Sequence, residues 1–288
     1  MGYSARYHAT SLIAVFLALA IGIVIGAVLG GDAIDNTRKD LEQSLTGNLQ
    51  DAREQADELR GELGRANELS TRVYPVLVRD RLRGRRIGLV AFGDLPGDVY
   101  GAIEEALEPA GGRLVGVGVV REPVDVRGLA ADMAKTRFAN VARDAGAQTA
   151  LGVGLGRQLV RGGNLLEPVR GHLFSRASGN FGGLDAVIVV RDQPQDMGPV
   201  QRSVAARVEA GIASGITATR APAVGVEATG SEPSSISFFA GSDLASVDDV
   251  DLVAGRLAAV FALLGAEGSF GVKDSADRLL PDLLAPPR

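Results

Sequence analysis

The chain has 288 residues, a net charge of −5 and acidic and basic residues interleaved along its length, so it carries no electrostatic footprint for nucleic acid. It has no cysteine, which excludes disulfides, thiolate metal sites and thiol nucleophiles. With 38 glycines, no Trp, nine Phe and four Tyr, its core must rest on Val, Leu, Ile and Ala and offers few aromatic platforms for stacking sugars or bases.

The first element is an uncharged apolar run from Ala9 to Gly31. At about 1.5 Å per residue it reaches roughly 34 Å, enough to cross a hydrocarbon core of about 30 Å. A signal-peptide core is shorter than this, so the run is read as an uncleaved membrane anchor within residues 1–31. Arg6 precedes it and Asp32 and Asp35 follow it, ahead of Arg38 and Lys39. The positive-inside rule then places the N-terminus in the cytoplasm and the C-terminal body outside the cytoplasmic membrane, in a single pass. Ala14, Ala18, Gly22, Gly26 and Gly30 recur every fourth position on one helical stripe, which lets two backbones approach closely and suits self-association.

Residues 32–74 read as a stalk. Leu45, Leu49, Ala52, Ala56, Leu59, Leu63 and Ala66 fall on alternating steps of four and three, a coiled-coil seam that ends at Ser70. Gly47, Gly61 and Gly64 each weaken the helix by about 1 kcal/mol relative to Ala, so a solitary helix this polar is marginal. Its partner is either a second copy or the chain's own body; the stripe below the seam favours a parallel homodimer stalk, so the chain is expected to be a homo-oligomer. Pro75 is expected to break the helix, and Arg79 to Arg86 forms a basic stretch that reads as a solvated linker or, alternatively, a lipid-headgroup contact.

Residues 75–288 carry an α/β pattern of one domain's size. Arg86 to Phe92 reads as a buried strand, Gly93 to Asp98 as a turn, Val99 to Leu107 as a helix and Leu114 to Val120 as a second strand. A helical stretch from about Leu129 to Leu159 precedes a strand at Ala186 to Val190, and Val200 to Ile212 is again helical. Ala223 to Val226 and Ile236 to Ala240 read as short strands, and a last helix runs from about Val250 to Leu264. The alternation predicts a doubly wound, largely parallel sheet covered on both faces. Ser246 and Asp249 have capping-box spacing, which gives Asp248 and Asp249 a structural role at the N-terminus of that last helix.

Few residues suggest chemistry. Gly152, Gly154 and Gly156 lack the third glycine and the preceding strand of a dinucleotide loop. The loop from Asp94 to Asp98 lies at the carboxyl end of the first strand, where such sheets bind ligands, and is either a crevice wall or a plain turn. His8 and His172 are the only imidazoles, and a serine triad in the body would depend on His172 alone. For a soft metal the body offers only Met133, Met197 and His172, at no ligand spacing. Asp248, Asp249 and Asp251 are either a hard-cation cluster or helix-capping residues. No cofactor is evident, and no enzymatic activity is expected.

Two stretches resemble a known family. Arg6-Tyr7-His8-Ala9-Thr10-Ser11-Leu12-Ile13-Ala14-Val15-Phe16-Leu17-Ala18-Leu19-Ala20-Ile21-Gly22 looks like the opening of the actinobacterial copper transporter family. Ser246-Val247-Asp248-Asp249-Val250-Asp251, Gly255-Arg256, Ala262-Leu263 and Gly268 to Lys273 are similar to that family's C-terminal pattern, and the order of span, coiled coil and α/β body matches it too. The resemblance implies copper homeostasis in the cell envelope, with copper as a transported ion. No ligand residue carries over, because the matching motifs hold anchor and helix-cap positions. One helix cannot line a pore without oligomerising, so the resemblance implies an oligomeric pore or an accessory role with envelope partners. A scaffold that presents an α/β recognition domain on a stalk is the alternative reading.

Overall fold

The computed structural model describes residues 5–282; within the first helix the side chains of residues 5–9, 29–40, 42 and 43 lie outside the description. The chain divides into two compact units, Met1–Ala66 and Asn67–Arg288.

Helix α1 runs Ala5–Val78. Within the first unit, Thr10–Val28 is long and apolar enough to cross a membrane, and its large side chains are exposed, as lipid-facing residues of a lone span are. Beyond it the helix is polar, with local pairs such as Arg60–Asp57 at 2.7 Å and Gln50–Glu54 at 3.1 Å along its surface.

In the second unit the expected break at Pro75 does not occur, because α1 continues through the proline. Pro75 cannot donate to the carbonyl one turn back, but its neighbours are fixed by packing. Tyr74 and Val78 are buried in the body, and the Tyr74 hydroxyl donates to the Ala106 carbonyl at 2.8 Å. Tertiary burial here outweighs one missing helical hydrogen bond. The basic stretch that follows is likewise no free linker: Leu82 is fully buried, and its N–H donates to the Ala110 carbonyl at 2.8 Å.

The body is built on a seven-stranded sheet in the order β3-β2-β1-β4-β5-β6-β7. Strands β1 (Arg86–Gly93), β2 (Arg113–Val120), β4 (Ala186–Asp192), β5 (Ala223–Val226), β6 (Ala245–Val247) and β7 (Ser269–Phe270) pair in parallel with their neighbours. β3 (Phe174–Gly179) joins the β2 edge antiparallel. Alternation along the central strands sends Ile87, Leu89, Ala91, Ile188 and Val190 to one face and Val90, Phe92, Val187 and Val189 to the other. α2 (Gly97–Leu107), α8 (Val253–Ala262) and the end of α1 cover the first face. α3 (Val126–Asp132), α4 (Ala145–Arg161), α5 (Leu166–Leu173), α6 (Pro199–Thr217) and α7 (Ile236–Gly241) cover the second.

Several elements depart from the expected pattern. The helical stretch from Leu129 to Leu159 is two helices separated by turns. Asp144 restarts the chain as N-cap of α4, accepting from the Ala147 N–H at 3.0 Å, and Asp125 caps α3 in the same way through Gly128. Ile236 to Ala240 is helix, not strand: Ile236 and Phe239 are buried three residues apart on one side of a single turn. Phe239 lies over Gly225 of β5, where any Cβ would collide with its ring. The capping box at Ser246 does not form. α8 begins at Val253 with Leu252 in the N-cap position, and Ser246 lies inside β6, its hydroxyl 2.9 Å from that of Ser269 in β7.

Gly152 and Gly156 prove to be packing residues. They lie on α4 against Gly211 and Gly215 of α6, so close that a Cβ at Gly152 would sit 3.0 Å from the Gly211 Cα and one at Gly215 would sit 3.0 Å from the Gly156 Cα. This is the small-residue stripe by which two helices meet backbone to backbone.

Candidate functional site

The strand order reverses between β1 and β4, and the chain ends of β1, β4 and β5 open there into a crevice of about 370 Å³. Its wall includes Pro96, Asp98, Val190, Asp192, Glu227 and Asp251. This is where an open α/β sheet leaves its ligand crevice, because the connections on either side of the reversal leave to opposite faces.

Each wall residue is set by its element. At the end of β1, Gly93 has φ +86° and lies so near Asp192 that a side chain there would collide with the β4 backbone. The close approach lets the Asp94 N–H donate to the Asp192 carbonyl at 2.9 Å. Pro96 then precedes α2, and Asp98 sits in its first turn, where a carboxylate complements the helix dipole. Asp94 forms an exposed pair with Arg176 of β3 at 2.8 Å. Partial burial, and then the neighbouring Asp94 and Asp98, push the Asp192 carboxyl above the usual carboxylate range.

On the β5 side the loop after Glu227 is held by charge. Glu227 is buried and accepts from Lys273 Nζ at 2.6 Å, the Ser234 hydroxyl at 2.8 Å and the Ser235 N–H at 2.6 Å. A buried carboxylate with a cation and two further donors is satisfied in this way. Asp251 accepts from both the N–H and the hydroxyl of Thr229, at 2.7 and 3.0 Å, so the loop is anchored at its near end as well.

The acidic run before α8 divides into three separate roles. Asp248 is fully buried and accepts from the Val272 and Lys273 N–H groups at 2.8 and 3.2 Å, which fastens the segment after β7. Asp249 is fully buried, yet neither of its oxygens meets a donor, and burial together with Asp248 and Asp251 pushes its carboxyl up to about 7. Asp251 lines the crevice. The three side chains do not converge on one point, and among the described residues no three His, Asp or Glu groups are arranged to hold a metal ion.

The residues considered for a soft metal are also dispersed by role. Met133 and Met197 are buried core residues. His172 on α5 pairs through Nδ1 with Asp132 of α3 at 2.7 Å, and its Nε2 lies 3.9 Å from Asp125. That arrangement ties two short helices together.

The residues expected to drive assembly lie on α1. Ala14, Ala18, Gly22 and Gly26 are exposed, and a Cβ at Gly22 or Gly26 would meet nothing within 4 Å. The surroundings of Gly30 lie outside the description, as do the side chains of Arg6, His8, Asp32, Asp35, Arg38 and Lys39. Leu45, Leu49, Ala52, Leu59, Leu63 and Ala66 are exposed and Ala56 is half-buried, all on one uninterrupted helix.

Sequence reasoning reached the crevice through the Asp94 to Asp98 turn but missed Asp192, Glu227 and Lys273. The signal present was the end of the apolar run at Arg191-Asp192, where a buried strand emerges beside the first. Nothing local marks Lys273 as a partner of Glu227, which lies 46 residues away.

Residues 3–281 match the sequence profile of the family described as "Copper transport outer membrane protein, MctB". Proteins named "Copper transporter MctB" from Mycobacterium bovis and Mycobacterium tuberculosis are 32% identical to this chain over 109 residues, 38% of this chain and 35% of theirs. The matched part of those curated relatives is thus about a third of their length, while the family profile extends from before the apolar helix to the segment after β7. The chain belongs to the MctB family.

Proposed function

We propose that this protein acts in copper transport or copper homeostasis at the cell envelope, as a non-enzymatic, membrane-anchored oligomer. The observation that carries the reading is the family match over residues 3–281, which takes in anchor, stalk and body together. In this reading Thr10–Val28 crosses the cytoplasmic membrane once with the N-terminus inside, and the α/β body works on the outer side. A single span encloses no path for an ion, so transport through this chain requires several copies. The stripe Ala14, Ala18, Gly22, Gly26 and the seam from Leu45 to Ala66 supply surfaces on which copies associate. Copper is the transported species here, and no resident cofactor is invoked.

The exposed leucines of the seam also support a second reading, an envelope scaffold that presents the body to partner proteins without handling copper. Cellular copper content separates the two. Across a copper titration, cells lacking the chain are expected to accumulate copper, and restoring the chain should reverse this. Unchanged copper with lost envelope complexes would overturn the copper reading in favour of the scaffold.

A further inference from the structure

An enclosed charged cluster of the body lies behind the crevice, on the face covered by α6 and α7. Glu209 of α6 is fully buried and accepts from Arg191 Nε of β4 at 2.8 Å and from Gln193 Nε2. Glu122, two residues beyond β2, turns toward the same spot: both of its oxygens are sealed from water, neither meets an N–H or hydroxyl donor, and its neighbour is the Glu209 carboxylate. Arg121, beside it in the chain, turns away to the Phe174 carbonyl at 3.3 Å. The charged groups facing Glu122 are therefore Glu209 from α6 and Arg191 from β4.

Two carboxylates share a hydrogen bond only if one of them is protonated. With Arg191 as the one facing cation, two ionised glutamates would leave a net negative charge where water cannot reach, which costs far more than neutralising one of them. We propose that Glu122 keeps its proton at neutral pH and donates it to Glu209, forming an acid pair that clamps the end of β2 to α6 and holds Arg191 against α7. Burial and the Glu209 carboxylate act together to push the Glu122 carboxyl well above the usual carboxylate range, against the opposing effect of Arg191. Arg191 carries the clamp to the crevice wall: its guanidinium lies 4.7 Å over the Phe238 ring, and its carbonyl accepts from the Ser235 hydroxyl at 3.1 Å. Loss of the proton turns the pair repulsive and frees that wall, so the device is a proton-dependent latch on α7.

The test uses the full chain in an ester-free detergent, by infrared spectroscopy at about pH 8.5, where Asp249 is largely ionised and Glu122 is not. The wild type should show a protonated-carboxyl stretch that shifts in heavy water and is lost in Glu122→Gln; identical spectra for the two proteins would overturn the proposal. Should Glu122→Gln not fold, carbon-13 NMR of glutamate-labelled wild type decides alone. One glutamate carboxyl still protonated at that pH sustains the pair, and complete ionisation of all of them refutes it. For the latch, amide exchange at Phe239 should be equal in the two proteins at neutral pH and about tenfold faster in the wild type at about pH 10.5. Equal exchange at both pH values would remove the coupling to α7.

Discussion

At the residue scale the body buries several carboxylates, among them Glu209, Glu227, Asp248 and Asp249. Asp249 is the clearest example, because the fold buries it beside two other aspartates and offers neither oxygen a donor. Burial, and then the neighbouring Asp248 and Asp251, raise its folded pKa from the ordinary 3.8 to about 7. A raised carboxyl means that the folded state binds the proton more tightly than the unfolded state does. Stability from this group is therefore fully present below pH 3.8 and is lost as pH rises through about 7. Asp249→Asn removes the titration and leaves a pH-independent cost for the new amide. Relative to the wild type, the variant should gain about 2 to 4 kcal/mol between pH 4 and pH 8, read as the widening gap between their denaturation midpoints. A gap that stays constant over that range would mean Asp249 is ionised in the fold. Asp248, one residue earlier, has a different role: its two oxygens accept from the Val272 and Lys273 N–H groups, which fastens the segment after β7.

At the scale of elements, the close contact of α4 with α6 is made by what the two helices lack. Gly152 and Gly156 meet Gly211 and Gly215 with no space for a single added carbon, and the obstructing atoms are backbone, which cannot rotate aside. Gly156→Val should therefore destabilise the body by about 3 kcal/mol or more, while Gly171→Ala, at an open position on α5, should change stability by less than about 1 kcal/mol. Thermal unfolding of both variants checks the contrast, and similar losses in both would show that α4 and α6 can separate. The leucine seam of α1 presents the complementary case, an apolar line left exposed along a polar helix. Replacing Leu45, Leu49, Leu59 and Leu63 with Ser should lower the sedimenting mass of the detergent-solubilised protein from oligomer to monomer. An unchanged mass would place the association elsewhere, with the membrane stripe as the next surface to change.

Across the whole molecule, legibility in the sequence followed the range of the interactions. The apolar N-terminal helix was legible because the capacity to cross a membrane is a matter of length and apolarity alone, and the apolar strands β1 and β4 were legible because burial on both faces demands a continuous apolar run. β3 escaped notice since an edge strand of Ser, Arg and Ala is exposed along most of its length and shows no burial pattern. β6 and β7, at three and two residues, are too short to have any period. Ile236 to Ala240 misled because five residues fit a strand or a turn of helix equally well until Phe239 is seen lying on Gly225. The sequence by itself thus determined the long apolar helix, the alternation of strand and helix and the absence of thiol chemistry, all of which follow from local composition and periodicity. Only the tertiary structure decided that Pro75 stays within a helix, that Gly152 and Gly156 of α4 serve packing, that Glu122 meets Glu209, and that Glu227 meets Lys273. Those outcomes depend on residues tens of positions apart competing for the same buried volume and the same few compensating charges, and no local pattern records that competition.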